Sequence, residues 1–305
     1  MAPRPVVKWA GGKTRLLDRL MKRLPPGRFK TYAEPFCGGG AMFFALAAEP
    51  KRRFTRALLA DKNAELVTLY QVIKDDVEPL IDRLQAYQDD YYRLSEDRRR
   101  ERFYEVRELD SKKLTPLERG ARLLFLNRTC FNGLWRVNAS GRFNVPFGKY
   151  ATPRILDIDV LRAAHEALSV AEIHLADFSF VTKKLKRGDF VYFDPPYVPV
   201  SKTANFTAYA SDPFGPKEQE RLAAELGRLK KLGVDAMLSN AATAEMKALY
   251  VRHGFVVDSI QAARSINSDP SKRGDVTELV VTTYDPEKPR AKTARATATR
   301  RRAAV

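Results

Sequence analysis

The apolar run Phe190-Val191-Tyr192-Phe193 stops abruptly at Asp194-Pro195-Pro196-Tyr197. A short run of large apolar residues closed by a turn signal predicts a buried strand, covered on both faces, in an α/β sheet. Ligands of such sheets gather just beyond the carboxyl ends of the strands. Two prolines fix φ and carry no N–H, so the Pro195 carbonyl points where the backbone sends it. Asp194 and that carbonyl are acceptors, and Tyr197 is a ring for stacking. Together they suit an exocyclic amino group on a planar base. Taken alone, the tetrapeptide also fits a strand end followed by an ordinary proline turn. The rest of the chain decides between the two.

The first supporting feature is Glu34-Pro35-Phe36-Cys37-Gly38-Gly39-Gly40, placed between strand-like residues 30–33 and the apolar run 41–46. Three glycines allow a tight turn and a close approach of backbone to ligand. The apolar run after them opens a helix whose first N–H groups face the site. The glycine spacing is not that of a dinucleotide fingerprint, and a glutamate precedes the turn. A nucleoside without phosphates is the better-suited ligand. A second strand, 57–60, ends in Asp61, and a carboxylate there is the usual partner of ribose hydroxyls.

The net charge is +17. Residues 286–305 hold seven Lys or Arg and one Glu, so six of those charges sit in the tail and eleven on the rest. A body that basic suits a polyanion, most simply nucleic acid. The tail lacks apolar periodicity and is expected to be disordered, attracting phosphates without sequence preference. No apolar run approaches a membrane span, and the first residues are no secretory signal. Cys37 and Cys130 lie in unrelated motifs, and His165, His174 and His253 show no ligand pairing. No metal site and no disulfide framework are expected, and a cytoplasmic, nucleoid-associated protein is.

Residues 11–24 carry leucines at helical spacing and predict a helix, and residues 63–110 predict further charged helices. Thr115-Pro116-Leu117-Glu118 is a capping signal for another. Two arms, 134–137 and 142–147, flank Asn138-Ala139-Ser140-Gly141 and predict a β-hairpin. A two-stranded ribbon fits the DNA major groove, where Arg136 can grip guanine and Leu134 can touch a thymine methyl. Phe131 has the shape of a wedge for a stack that a base has left. Residues 198–215, with Asn205, Phe206 and Tyr209, predict a lid, and residues 264–274 a basic loop over phosphates.

These motifs occur in one order with Lys8-Trp9-Ala10-Gly11-Gly12-Lys13, Leu126-Asn127-Arg128, Phe131-Asn132-Gly133-Leu134, Phe143-Asn144-Val145-Pro146-Phe147-Gly148 and Ser239-Asn240. The chain thereby resembles the DNA adenine methylase family, N6-adenine methyltransferases of the α arrangement that use S-adenosylmethionine. The similarity runs from Lys8 to about Tyr284. It implies an α/β fold: a Rossmann-like class I methyltransferase sheet (residues 1–63 and 155–285) with an inserted helical and β-hairpin DNA-recognition domain (64–154). It implies that Trp9, Lys13, Glu34, Phe36, Gly38, Gly39, Gly40, Asp61, Asp177 and Asp194 surround the cofactor. Asp177 serves equally well as a helix N-cap. Asp194, Pro195 and Tyr197 would perform the transfer on an extruded adenine. Lys8, Arg128, Phe131, Asn132, Leu134, Arg136 and Pro146 would face double-stranded DNA, with GATC as the site. Phe131 departs from the tyrosine usual in GATC methylases, and Trp135 is bulkier than the usual neighbour.

The resemblance implies a monomer without an obligate protein partner, and is compatible with a cognate restriction endonuclease. N4-cytosine methylation is the rival enzyme reading. A non-catalytic DNA-binding protein on the same fold is the rival outside enzymes, and intact Glu34, glycines, Asp61 and Asp194–Tyr197 speak against it.

Overall fold

A computed structural model describes residues 1–138, 140–197, 214–263 and 275–288. The expected lid, basic loop and nearly all of the tail lie outside the described residues. Among the described residues seven strands form one sheet: β1 (Thr31–Glu34), β2 (Arg56–Asp61), β3 (Ala171–Leu175), β4 (Phe190–Phe193), β5 (Asp235–Ala241), β6 (Val256–Ala263) and β7 (Asp275–Thr282). Their order is β3-β2-β1-β4-β5-β7-β6. The first five run parallel, and β7 runs antiparallel to both β5 and β6. This is the Rossmann-like order of class I methyltransferases. Its topological switch point lies between β1 and β4, which places a ligand cleft beyond their carboxyl ends.

Every residue of β1 and β4 is buried, because apolar layers cover both faces. Alternation along β4 sends Phe190 and Tyr192 into one hydrophobic cluster and Val191 and Phe193 into the other. The second cluster is closed by α8 (Phe178–Thr182), α9 (Pro216–Leu232) and α10 (Ala244–Arg252). The first is closed by α1 (Leu17–Met21), α2 (Ala41–Ala47), α3 (Ala64–Asp75), α4 (Val77–Arg93), α5 (Glu96–Glu108), α6 (Pro116–Thr129) and α7 (Ile158–Leu168). Helix α3, counted with the insert from sequence, therefore shares a core with the sheet. The Thr115–Glu118 capping box is present at α6 as its sequence predicts. Among the described residues no helix is long and apolar enough to cross a membrane.

Two local expectations are corrected. Residues 11–24 form only the short α1, although Leu16, Leu20 and Leu24 are buried as the leucine spacing requires. The preceding segment folds into turns, with Gly12 N–H bonded to the Trp9 carbonyl and Gly11 at φ +78°. A tertiary demand overrides helix propensity there: Lys13 reaches inward instead of following a helical path. The recognition arms form no regular strands. They pair as a hairpin only around the antiparallel bridge Val137–Phe143, where Asn138 N–H donates to the Arg142 carbonyl and Asn144 N–H to the Arg136 carbonyl. Phe147 bridges Cys130, ahead of the first arm, and the Asn138 side chain accepts the Ser140 and Arg142 N–H groups. A lone pair of arms without a third strand gains little from ladder bonds. Burial of Trp135 and Phe143, exposed by only 2% and 6%, holds them instead.

Candidate active site

The glycine turn is held from three sides. Gly38 has φ +49°, and a Cβ there would lie 3.1 Å from Trp9 Cδ1, so a side chain would be strained and would press on the indole. Its N–H donates to Asp61 Oδ2 at 2.9 Å, while Tyr70 donates to its carbonyl at 2.8 Å. The other Asp61 oxygen accepts the Asn63 N–H at 2.8 Å. Burial raises the Asp61 carboxyl, opposed by these N–H bonds.

Glu34 closes β1 but is buried, and Oε2 accepts both the Tyr32 hydroxyl (2.6 Å) and the Phe43 N–H (3.0 Å). Burial pushes its carboxyl up to about 8, against the bond from Tyr32. A carboxyl raised by folding stabilises the fold fully below its unfolded value near 4.5, and that contribution is lost as the pH climbs to about 8. Glutamine retains an acceptor for both donors and does not ionise. Glu34→Gln is therefore expected to unfold at a higher temperature than the parent above about pH 8, with no difference near pH 4. Parallel midpoints across that range would refute the assignment of a neutral Glu34.

Asp194 follows β4 and lies 2.7 Å from Lys13 Nζ. The Lys13 side chain is 4% exposed, donates also to the Gly11 carbonyl at 2.8 Å, and sits 4.7 Å above the Tyr197 ring. Burial pushes the Asp194 carboxyl up to about 6, with Lys13 pulling it back down. The Tyr197 hydroxyl donates to Glu278 Oε2 at 2.7 Å. Glu278, on β7, was not singled out from sequence; its signal is one acid beside the apolar run 279–281.

The two motifs open into one cleft of about 1570 Å³, whose lining includes Trp9, Phe36, Gly38, Asp61, Asp194 and Tyr197. Asp177 also reaches it, but as the N-cap of α8, accepting the Ser179 N–H. Its carboxylate is gripped through two oxygens by Arg221 (2.9 and 2.7 Å). Burial would raise this carboxyl, but Arg221 and Ser179 hold it well below the usual range. An apolar floor, a glycine turn closed against Trp9, and carboxylates at two strand ends fit an adenosine with a cationic sulfonium. Trp9, Phe36, Gly38, Asp61 and Asp177 would hold such a cofactor, with Asp194, also on the cleft lining, left for the group being methylated.

On the adjoining face Phe131 and Leu134 are 51% and 37% exposed. Arg136 is braced by Asn144, Nε to Oδ1 at 2.8 Å. The Pro146 carbonyl accepts the Phe131 N–H, and Asn132 takes a left-handed φ of 56°. Asn127, found by sequence only as part of a motif, bonds the Lys8 N–H and carbonyl and the Gly133 carbonyl. It thereby ties the segment carrying Trp9 and Lys13 to the recognition arms. Trp135 completes the link, its ring 6.3 Å from Trp9 and 4.8 Å from Phe143. The Arg128 guanidinium donates to the Val6 carbonyl at 2.7 Å and so braces the N-terminal segment.

The type II methyltransferase M.MjaIII of Methanocaldococcus jannaschii is 39% identical over 293 residues, covering 93% of this chain and all of that protein. Type II methyltransferase M1.LlaDCHI of Lactococcus lactis subsp. cremoris is 37% identical, over 92% of this chain and 95% of its own length. The DNA adenine methylase of Escherichia coli K12 is 34% identical, over 91% and 94%. The family model described as D12 class N6 adenine-specific DNA methyltransferase matches residues 9–266. The chain belongs to that class, and is an adenine-specific DNA methyltransferase that uses S-adenosylmethionine.

Proposed function

We propose that the protein methylates N6 of an adenine flipped out of duplex DNA, within the sequence GATC. The observation that carries the reading is the shared cleft, which brings Asp194–Tyr197 to the same cavity as the Gly38 turn and Asp61. The N6 lone pair is delocalised into the purine ring and is a poor nucleophile. The Asp194 carboxylate and the Pro195 carbonyl accept hydrogen bonds from the two amino N–H groups, which localises that pair, and the proton the amino group sheds on methylation leaves by way of Asp194. The Tyr197 ring supports the base. S-Adenosylmethionine, when bound, supplies a methyl group on an electrophilic sulfonium. Orientation and fixed acceptors provide the acceleration, without a covalent enzyme intermediate. Flipping costs a few kcal/mol of unstacking, and the Phe131 ring, half exposed, would fill the gap.

In this reading Lys8 of the N-terminal segment and, on an insert spanning residues 64–154, Asn132, Leu134, Arg136 and Pro146 form the DNA side. The enzyme acts as a monomer at the nucleoid. The relatives' names divide between type II methyltransferases and DNA adenine methylases, so both a restriction partner and a solitary role suit the chain.

Arg136 is the discriminating residue. A bidentate arginine–guanine contact is worth about 1–3 kcal/mol of discrimination. Arg136→Ala should lower turnover on GATC and flatten the preference at one outer base pair, roughly 10-fold or more. A panel of duplexes carrying each single substitution in GATC, assayed with parent and variant, measures this. An unchanged ranking of duplexes would remove Arg136 as reader, and a parental preference for another sequence would refute GATC.

A further inference from the structure

Glu278 is a single acid ahead of the buried residues Leu279, Val280 and Val281. Strand β7 runs antiparallel to its neighbour β5, so its beginning reaches the edge where the parallel strands end. Topology thus delivers Glu278 to Asp194 and Tyr197 from the far side of the sheet order. Its Oε2 accepts the Tyr197 hydroxyl at 2.7 Å and lies 4.0 Å from Lys13 Nζ, whose other carboxylate partner is Asp194 at 2.7 Å. With the Lys13 ammonium also above the Tyr197 ring, Lys13, Glu278 and Tyr197 form a closed circuit of side chains, to which Asp194 is joined through Lys13.

We propose that Glu278 is a positioning residue for methyl transfer, orienting the Tyr197 ring through its hydroxyl and sharing Lys13 with Asp194. The proposal rests on the reading of Asp194 and Tyr197 as the groups that hold the adenine. A ring already tethered loses less rotational freedom when it captures a base. The electrostatic consequence is equally definite. The groups facing Asp194 are Lys13 from the N-terminal segment, Glu34 from β1, Tyr192 from β4, Tyr197 beyond it and Glu278 from β7. Burial raises the Asp194 carboxyl most, Lys13 lowers it, and the Glu278 charge raises it further. Removing that charge leaves Lys13 to Asp194 alone and lowers the pH at which Asp194 ionises.

Three variants separate the two effects. Glu278→Gln keeps an acceptor for the Tyr197 hydroxyl and drops the charge; Glu278→Ala drops both; Tyr197→Phe keeps the ring without its hydroxyl. The acid limb of kcat/KM for S-adenosylmethionine reports the protein before that substrate binds. It is expected near pH 6 in the parent, following Asp194, and at lower pH in both Glu278 variants. Carboxyl NMR of the cofactor-free protein should show the same displacement for Asp194. At about pH 8, kcat should stay near parental in Glu278→Gln and fall roughly 10-fold in Glu278→Ala and in Tyr197→Phe, with the double variant no worse than either. An unmoved acid limb in Glu278→Gln, or losses that simply multiply in the double variant, would overturn the proposal. If Glu278→Ala does not fold, the glutamine variant decides alone. Asp194→Ala keeps the two readings apart: normal turnover there refutes the site itself, whereas its loss beside parental Glu278 variants refutes only the role of Glu278.

Discussion

Asp194→Ala is expected to reduce methyl transfer at least about 100-fold, the scale of losing one fixed transition-state partner in a water-poor site. Two consequences combine. The adenine amino group loses its carboxylate acceptor, and Lys13, only 4% exposed, loses its 2.7 Å partner and keeps Glu278 at 4.0 Å. Removing one member of a buried ion pair commonly costs about 3–5 kcal/mol of stability. The variant should therefore melt earlier while remaining folded at low temperature, and should still bind S-adenosylmethionine through the glycine turn. Single-turnover methylation, thermal melting and calorimetric cofactor binding measure the three parts. Near-parental turnover would sink the assignment of Asp194. Lost cofactor affinity with an otherwise normal melt would move its role from the adenine to the cofactor.

The second large effect is expected at the turn itself. Gly38→Ala places a side chain in the left-handed region at φ +49°, a conformation that costs an L-residue about 1–2 kcal/mol. The new methyl also lies 3.1 Å from Trp9 Cδ1, so the indole must give way. Trp9 stacks on Trp135, and the shift is passed toward the recognition arms. Cofactor affinity should fall roughly 10-fold or more, because the displaced indole lines the cofactor cleft and each 1.4 kcal/mol of lost contact is a factor of ten. The melt should also fall by a few degrees, since the backbone strain is carried by the folded protein whether or not the cofactor is bound. Calorimetry with S-adenosylmethionine against parent and variant measures the loss. Parental affinity would show that the close packing on Trp9 is not part of the cofactor site.

Sequence by itself determined the features that depend on local composition. Strand β4 was legible because four large apolar residues ending in Asp-Pro-Pro have few other uses, and α6 because its capping box is written in Thr115-Pro116-Leu117-Glu118. The Gly38–Gly40 turn and Asp61 were legible for the same reason, since glycine runs and strand-end acids have local signatures. Only the tertiary structure decided the rest. Lys13 became a buried cation because Asp194, 181 positions away in the chain, took its charge, and that pull replaced the helix expected over residues 11–16. Arg128 became a brace because the fold brings the Val6 carbonyl within its reach. Glu278 entered the site because β7 reverses direction, which no pattern within its own strand records. Residue type and spacing fix which elements form, whereas the pairing of buried charges across the sheet depends on topology, because an ion taken out of water must be met by whichever partner the fold brings near.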